Sequence, residues 1–492
     1  MQYKKLRIDK PETPLLRLKI FYLLLGIISL ILVYRPLTAK IIDSYILYHV
    51  DDIARFTILR SALRDVRVFL SPYLKLGFAL LNFPFLLLTG ANPMSIRILN
   101  FFLSLATLVL IKKIALKKGI SKFGSELAMV LCFSFPVFFI LSLSTLSEVL
   151  FTFTVVLSVY MLVCQRYGAG LIIISFLPLL RQEGLLLLPV FAIILARRYS
   201  LLKTPILFIP FIIWSYLNVK VLGHEMYFSF FPALGIIPSA PANSSASLTD
   251  VLFSAGVLLF HPISLLGILG ALLSFKKKNF RLVSLIFLSY FLILLAANLL
   301  HVTVNGVWNR EIRFLHTLIP FLSLLAVYYM DLYPGLTKVV KKYIFILPLL
   351  TIFQIRMLQN ERGVRWDYLS YNQEKELKEA TNEILELVEK EGIKNIYIPG
   401  ELYTNPIIRR IWYYSPSDMD LYILIEFPLE DSSTLEMKAL DLGLSKFRNL
   451  ESGERGVYLS TRYAHPPSET LKLDEMLCFD ELGLEAYIVK YE

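Results

Sequence analysis

A series of long apolar runs, separated by short basic loops, constrains the fold of this chain more than any other feature. A helix that crosses the hydrocarbon core of a bilayer needs about 20 mostly apolar residues. Candidate spans lie at 19–34, 96–112, 124–142, 147–164, 168–181, 184–196, 204–219, 251–275, 282–300, 314–330 and 343–357. The run 72–90 is predicted to be interfacial or re-entrant; the alternative is that it is a further span and that the division into two spans at Arg181 is wrong. The pattern predicts a polytopic α-helical membrane protein with about 11–13 transmembrane helices.

Charge divides the chain into two parts. Residues 1–358 contain 35 Lys and Arg against 13 Asp and Glu, a net charge of +22. Residues 359–492 contain 15 against 26, a net charge of −11, so the two parts sum to the +11 of the whole chain. Because the basic residues lie in loops between apolar runs, they indicate membrane-flanking loops, and no nucleic-acid partner is expected. We predict a transmembrane module over 1–358 and a small, soluble α/β domain over 359–492.

The acidic C-terminal part has its own secondary-structure pattern. Residues 373–391 carry apolar side chains at helical spacing, which predicts a charged amphipathic helix. Strand-like segments follow at 395–398, 420–426, 456–460 and 486–490. A helix followed by short strands predicts an α/β domain that packs over one face of the membrane module.

Basic clusters orient the predicted spans, because positively charged loops remain in the cytoplasm. The clusters lie within 4–19, 112–122, 197–203, 276–281 and 338–342. All of these clusters fall on the same side of the membrane when an odd number of crossings precedes the acidic domain. The eleven candidate spans satisfy this condition. We therefore predict a multi-pass protein of the cell membrane with a cytoplasmic N-terminus, an extracytoplasmic C-terminal domain and an outer loop over 35–70.

Two adjacent acids stand in this predicted outer loop, within the segment HVDDIARF at 49–56. Paired carboxylates such as Asp51 and Asp52, just outside a span, suit a general base or a divalent-cation site. Asp is also a common N-cap, so the alternative is a structural role at the start of an amphipathic helix predicted over 56–70. Arg55 lies one helical turn further along and is a candidate for substrate binding.

A second dense group of charges immediately precedes the predicted span 314–330. Arg310 and Arg313 are suited to bind a phosphate, and Glu311 to orient an arginine or a sugar hydroxyl. The alternative is a local Arg–Glu pair whose side chains extend toward the membrane surface.

A third polar group interrupts two short apolar runs. Arg181 and Glu183 lie between the runs 168–181 and 184–196, and Glu148 stands at the start of another span. Ionisable groups at membrane depth are costly and usually face a cavity or a partner. The sequence therefore leaves three interpretations of these residues: they line a polar cavity, form a buried ion pair or belong to a loop.

The order of these segments resembles the GT-C superfamily of membrane glycosyltransferases, which includes protein O-mannosyltransferases, aminoarabinose transferases and GPI-type mannosyltransferases. The segment DDIARF at 51–56 is similar to the acidic motif of that superfamily, and the stretch from Ser71 through Gly90 to Arg97 is similar to the segment that follows it. The stretch NREIRF at 309–314, followed by Pro320, resembles the HKE-x-RF stretch of the GPI-type enzymes, with two positions different. The resemblance covers about the first 330 residues.

This resemblance implies a reaction in which a sugar moves from a polyprenyl-phosphate (dolichyl-phosphate) donor to a glycan, lipid or protein acceptor, with mannose as one candidate sugar. Asp52 would deprotonate the acceptor hydroxyl, and Asp51 would be the alternate base or an acceptor-orienting group. Arg310 and Arg313 would bind the leaving phosphate. We assign substrate binding to Arg55, Arg181, Glu183, Arg310, Glu311 and Arg313. Most members of the superfamily need no metal, so no cofactor is expected, and a divalent cation is left open.

Two other function classes account for part of the pattern. A transporter or flippase of lipid-linked substrates would have repeated halves, interrupted helices and charges near the span centres. The chain has no such repeat, and its charges lie at one predicted boundary. A non-catalytic membrane scaffold would bind a partner through its outer domain and would not need the acidic pair, so glycan transfer that survives Asp52→Asn would favour it.

Overall fold

The fold is taken from a computed structural model of the chain. The structure describes residues 50–63, 66–70, 74–89, 93–196, 201–222, 262–276, 280–305, 312–343, 371–392, 395–399, 420–424, 446–448, 455–461, 471–479 and 484–491. The predicted span 19–34 lies outside these residues, as does nearly all of the span 343–357.

Within the described part of residues 1–343, helices are the regular secondary structure, joined by short turns. The α-helices are α1 (Val50–Ser61), α2 (Leu76–Leu88), α3 (Pro93–Lys117), α4 (Lys122–Phe133), α5 (Pro136–Leu141), α6 (Ser147–Val163), α7 (Tyr167–Ser175), α8 (Leu177–Leu180), α9 (Glu183–Ala196), α10 (Ile209–Leu222), α11 (Pro262–Lys276), α12 (Arg281–Asn305), α13 (Ile319–Leu332) and α14 (Pro334–Tyr343). Short 3₁₀-helices at Val66–Leu70, Leu201–Phe208 and Ile312–Leu318 precede or extend some of them.

Several of these helices have the composition of membrane spans. Within the described residues, three stretches are long and apolar enough to cross a bilayer, namely Ser95–Lys117, Thr204–Val221 and Leu315–Leu332. Six shorter apolar helices, of 10 to 17 residues, accompany them. The structure is therefore that of a mostly helical, apolar membrane protein, and the total of eleven crossings stays a prediction.

Two predicted elements are shorter or more broken than the sequence suggested. The helix predicted over 56–70 is not continuous: α1 ends at Ser61, and a separate 3₁₀-helix begins at Val66, whose side chain is 71% exposed. The run 72–90 forms α2, which has 13 residues and contains Pro84. At about 1.5 Å per residue, α2 is shorter than a hydrocarbon core of about 30 Å, as are the other short apolar helices. Whether α2 is interfacial, re-entrant or a span stays a prediction.

Helix α6 occupies a central position in the helical part. It packs against α3, α7, α8 and the 3₁₀-helix Ile312–Leu318. Its buried side chains include polar ones in the first two turns, Ser147, Glu148 and Thr152, as well as apolar ones further along. Segments that are far apart in sequence therefore meet at the start of α6.

Helices α11 and α13 make the most extensive helix–helix contact. Two glycines of α11 allow the backbones to approach, because a Cβ added at Gly267 would lie 2.8 Å from the carbonyl oxygen of Leu322, and one at Gly270 would lie 2.0 Å from that of Leu325. Small residues at such contacts are typical of helix association in membranes, where dispersion forces between closely packed helices replace the hydrophobic effect.

The C-terminal part contains an amphipathic helix and a sheet. Helix α15 (Tyr371–Lys390) buries Leu377, Ala380, Ile384 and Val388, which confirms the apolar face predicted from the sequence. The strands are β1 (Asn395–Pro399), β2 (Asp420–Leu424), β3 (Lys446–Arg448), β4 (Arg455–Thr461), β5 (Leu471–Phe479) and β6 (Leu484–Tyr491).

The sheet has the strand order β3-β2-β1-β4-β6-β5. Strands β1 to β4 pair in parallel, and β6 and β5 complete the sheet as antiparallel neighbours. Four of the six strands lie where the sequence predicted them, whereas β3 and β5 were missed. The division of the chain at residue 359 stays a prediction.

Candidate functional site

A buried ion-pair network lies at the start of α6. Arg181 Nη1 lies 2.6 Å from Glu148 Oε1, and Arg181 Nη2 lies 2.8 Å from Glu183 Oε1. Arg181 Nε also donates to Glu183 Oε2 at 3.2 Å, so this carboxylate receives the guanidinium in a bidentate geometry. The three side chains are at most 8% exposed. One cation therefore holds two carboxylates in an environment with little water, where such contacts are strong and unpaired charges are costly.

Both carboxylates sit at helix N-termini. Glu183 is the first residue of α9, and Glu148 is in the first turn of α6. The partial positive charge at a helix N-terminus stabilises an acidic side chain there. Each of the two carboxylates therefore interacts with the dipole of its own helix and with the guanidinium of Arg181.

A tight bend between α8 and α9 presents Arg181 to the network. The Gly184 amide donates to the Arg181 carbonyl at 3.0 Å, and the Arg181 amide donates to the Leu177 carbonyl at 3.1 Å. A Cβ added at Gly184 would lie 2.4 Å from the carbonyl group of Leu177, so only glycine permits this approach. Pro178, near the start of α8, favours a new helix over a continuation of α7.

The network extends to α1 through a serine. Ser147 Oγ accepts a hydrogen bond from Arg181 Nη1 at 3.4 Å and another from Nη1 of Arg55, which is 92 positions earlier in the chain. Arg55 is buried, and the neighbouring Phe56 is fully buried. Helix α1, which carries the predicted acidic motif, therefore contacts the first residue of α6.

A second polar group joins α6 to the 3₁₀-helix Ile312–Leu318. The hydroxyl of Thr152 lies 2.7 Å from His316 Nδ1 and 2.8 Å from the hydroxyl of Thr317. The His316 ring stacks on Phe138, with centroids 4.7 Å apart and planes within 2°. His316 is buried, and its Nε2 has no hydrogen-bond partner among the residues that the structure describes.

Hydrogen bonds from an asparagine fix the loop before α6. Asn100 of α3 donates from Nδ2 to the carbonyl oxygens of Ser144 at 2.8 Å and Leu146 at 3.0 Å. Ser144 Oγ accepts from the Leu146 amide at 3.2 Å, which closes the turn. These bonds satisfy backbone groups that would otherwise be buried without partners, and they fix where α6 begins.

The predicted site residues fall into two groups. The structure brings Arg55, Arg181 and Glu183 together around Ser147. It shows Arg181 and Glu183 as a buried ion pair, which is one of the three interpretations that the sequence left open. Contact of these residues with a substrate stays a prediction.

The other predicted residues lie at the margin of the described structure or outside it. Asp51 and Asp52 belong to the first turn of α1, and Arg313 belongs to the 3₁₀-helix Ile312–Leu318, but their side chains are outside the described part. Arg310 and Glu311 are outside it altogether. The roles of all five stay predictions.

Sequence reasoning missed the hydroxyl and amide groups that organise the network, namely Ser147, Thr152, Thr317 and Asn100. Such residues are common in membrane helices, and nothing in their spacing distinguishes a network member from a hydroxyl that bonds its own helix, as Thr154 does. A usable signal is the pair Ser147 and Glu148 at the start of an apolar run, since both residue types are typical of helix N-termini.

Metal binding is a separate question. Among the described residues, no group of three or more His, Cys, Asp and Glu side chains could hold a metal ion. The acidic pair at 51–52, for which the sequence left a divalent cation open, is outside this test. The network at α6 uses its two described carboxylates to bind Arg181.

Two segments that carry predicted chemistry converge on the same helix start. Helix α1 reaches Ser147 through Arg55, and the 3₁₀-helix Ile312–Leu318 reaches Thr152 through His316. Ser147 and Thr152 are separated by little more than one turn of α6. The backbone positions of the acidic motif and of Arg313 are therefore linked to one region of the molecule.

No protein-family model matches the sequence, and no curated protein matches it. The structure is similar to the crystal structure of ArnT from Cupriavidus metallidurans bound to undecaprenyl phosphate, with a TM-score of 0.55. The similarity covers 96% of this chain and 98% of that chain, at 11% sequence identity. At this identity, the comparison shows a shared fold that extends over both chains.

Proposed function

We propose that the chain is a membrane glycosyltransferase of the GT-C type, which transfers a sugar from a polyprenyl-phosphate-linked donor to a glycan, lipid or protein acceptor. The observation that carries this proposal is the convergence of α1 and the 3₁₀-helix Ile312–Leu318 on the start of α6. The shared fold with ArnT, a protein crystallised with undecaprenyl phosphate, supports a lipid phosphate as the carrier. The site of transfer would be the outer surface of the cell membrane.

The proposed reaction is a single displacement at the anomeric carbon. Asp52 takes the proton of the acceptor hydroxyl, and the acceptor oxygen forms a bond to the anomeric carbon. The bond from that carbon to the phosphate oxygen breaks, so the configuration inverts and the lipid phosphate leaves with the electron pair. General-base catalysis of this kind contributes about 10²–10⁴-fold to a rate.

Cations would stabilise the phosphate as its negative charge develops. Arg310 and Arg313 are the proposed ligands, since guanidinium groups bind phosphate in a bidentate geometry. Arg55 is a third candidate because it is on the same helix as the proposed base, three residues after Asp52, and residues at that spacing lie on one face of a helix. Glu311 would orient an arginine or a sugar hydroxyl, and Asp51 the acceptor. No metal takes part in this proposal.

The decisive experiment compares two Asp→Asn variants of the reconstituted protein. Asp52→Asn should reduce transfer from a labelled polyprenyl-phosphate sugar by about 10²-fold or more, since the base is lost and the shape is kept. Asp331→Asn is the matched control, because Asp331 is exposed at the end of α13. Equal transfer by Asp52→Asn and the wild-type protein would contradict the proposed base and favour a scaffold.

The sugar and the acceptor are open to direct identification. Mass spectrometry of lipid-linked glycans from a strain that lacks the protein should reveal one unmodified acceptor and one accumulated polyprenyl-phosphate sugar. Mannose is one candidate for that sugar. Unchanged glycans and unchanged lipid-linked donors in the deletion strain would contradict an enzymatic role.

A further inference from the structure

We propose that Arg181 is a positioning residue and does not bind substrate. Through Glu148, Glu183 and Ser147, it fixes the place at which α1 meets the first turn of α6. The predictions about kcat and KM rest on the proposed function. The inference deepens that function because it distinguishes residues that position the site from residues that contact the donor.

The guanidinium group of Arg181 makes all of its observed contacts with other side chains of the protein. All three nitrogens contact protein oxygens: Nη1 contacts Glu148 and Ser147, and Nη2 and Nε contact Glu183. The side chain is 4% exposed. A donor phosphate would have to displace a carboxylate from a bidentate, water-poor contact, whereas phosphate-binding arginines normally present their fork to an open site.

The same contacts join three separate parts of the chain. Glu183 is at the start of α9 and Glu148 is at the start of α6, while Ser147 also accepts from Arg55 on α1. Arg181 is 34 positions from Ser147, and Ser147 is 92 positions from Arg55. The network therefore sets the place of α1, whose first turn carries Asp51 and Asp52, relative to the helical core.

A simple deletion of Arg181 would not test this role. Removal of the cation would leave two carboxylates buried next to each other, and the variant would lose stability whatever its role in catalysis. A charge-compensated triple variant avoids this outcome, with Arg181→Met, Glu148→Met and Glu183→Met introduced together. Replacing a buried ion network by apolar side chains of similar volume is often neutral for stability.

The triple variant should unfold near the wild-type temperature but turn over slowly. We expect kcat to fall about 10- to 100-fold, because small displacements of a catalytic group cost rates of this order. The KM for the polyprenyl-phosphate sugar should remain within about twofold of wild type, since no donor contact is lost. A raised KM with unchanged kcat would assign Arg181 to the donor, and unchanged values of both would show that the network does not position the site.

A distance measurement tests the positioning without any catalytic activity. Spin labels at Leu63→Cys and Ile98→Cys would report the place of the end of α1 relative to α3 in a background without native cysteines. Both residues are exposed; Leu63 lies two residues after α1, and Ile98 lies on α3. The distance distribution should widen or shift in the triple variant. A distribution identical to that of the unsubstituted network would overturn the inference.

A second ion pair is the matched control. Lys112 of α3 and Glu126 of α4 form a contact of 3.1 Å, and neither residue belongs to the site. Lys112→Met with Glu126→Gln should leave kcat, KM and the label distance unchanged, and an equal effect of this change would contradict a specific role for Arg181. If the wild-type protein transfers no sugar, the proposed function is refuted but the role of Arg181 is not. The label distance tests that role without any sugar transfer.

Discussion

At the scale of single residues, two acids of the helical part share one buried arginine. Residues 1–358 contain only 13 Asp and Glu, and two of them meet one arginine in a buried cluster. Each acid is also at a helix N-terminus, where the partial positive charge of the helix dipole adds to the attraction of Arg181. Stability and site geometry therefore depend on the same few side chains.

Substitution of a buried partner should cost more than substitution of a partly exposed one. Glu183→Gln removes the charge that two guanidinium nitrogens contact, and we expect a loss of about 1–3 kcal/mol in the free energy of unfolding. Glu126→Gln removes a contact whose lysine is 34% exposed, and we expect a loss below about 1 kcal/mol. Thermal and denaturant unfolding in detergent would check both values. Equal losses would contradict the importance of burial here.

The contacts of Thr152 give a second residue-scale prediction. Thr152→Val keeps the side-chain volume but removes the hydrogen bonds to His316 and Thr317, and we expect a loss of about 1 kcal/mol. His316→Ala should cost more, because it also removes the ring that stacks on Phe138. Thr154→Val is the control, since Thr154 bonds only the Leu150 carbonyl of its own helix. The same unfolding measurements apply, and a Thr154 effect as large as that of Thr152 would count against the inter-segment bond.

Individual residues of the site could be selected from the sequence, but their partners could not. A charge between two apolar runs is conspicuous, which is why Arg181 and Glu183 were selected as site residues. The bond between Arg55 and Ser147 joins positions 92 apart, and no local pattern indicates it. Hydroxyl residues are too frequent in membrane helices for their contacts to be predicted without the packing.

At the scale of elements, close helix contacts depend on glycine. A Cβ at Gly270 would lie 2.0 Å from the Leu325 carbonyl oxygen, a distance that no side-chain rotation can relieve, because the obstacle is backbone. The α11–α13 pair therefore has a register that only small residues permit. The same reasoning applies to Gly184 in the bend that presents Arg181.

Gly270→Ala should destabilise the protein by about 1–3 kcal/mol, since the overpacked helices must move apart. Gly335→Ala is the matched control: this glycine is the second residue of α14, and an added Cβ would meet no atom within 4 Å. Because alanine favours a helix more than glycine does, the control should be neutral or slightly stabilising. Thermal unfolding with size-exclusion detection would compare them. A neutral Gly270→Ala would show that α11 and α13 can separate without cost.

Helix positions were predictable because apolar runs of sufficient length have few alternatives. Their interruptions were not: the predicted span 124–142 is two helices, α4 and α5, and the span 168–181 is α7 and α8. Proline near the start of α5 and α8 accounts for both breaks, since a proline inside a continuous helix removes a backbone bond and clashes with the preceding turn. The short strand β3 was missed because three residues carry no periodic signal.

At the scale of the whole molecule, the contacts sort the helix ends into two sets. The start of α6 contacts the bend after α8 through Arg181, and it contacts the 3₁₀-helix Ile312–Leu318 through His316. The end of α3 and the start of α4, by contrast, are joined by Lys112 and Glu126. Basic loops predicted the same grouping, with the first set outside and the second in the cytoplasm. Which set faces the outside is a prediction from charge alone.

Accessibility to a membrane-impermeant maleimide would test that orientation. Arg67 and Lys117 are exposed residues on either side of the pair α2 and α3. In a background without native cysteines, Arg67→Cys should react in intact cells, and Lys117→Cys only after permeabilisation. A reporter fused after Glu492 should be active outside the cytoplasm, in line with eleven crossings.

The two labelled positions also decide the role of α2. If α2 lies at the interface or re-enters the membrane, the chain crosses once between Arg67 and Lys117, and the two cysteines react from opposite sides. If α2 is a complete span, the chain crosses twice and both cysteines react from the same side. If the chain also crosses once on each side of Arg181, that outcome would make the number of crossings even and would place the C-terminal part on the same side as the N-terminus. The charge pattern could not then keep all basic loops in the cytoplasm, and the proposed outer site at the start of α6 would lose its access to an external acceptor.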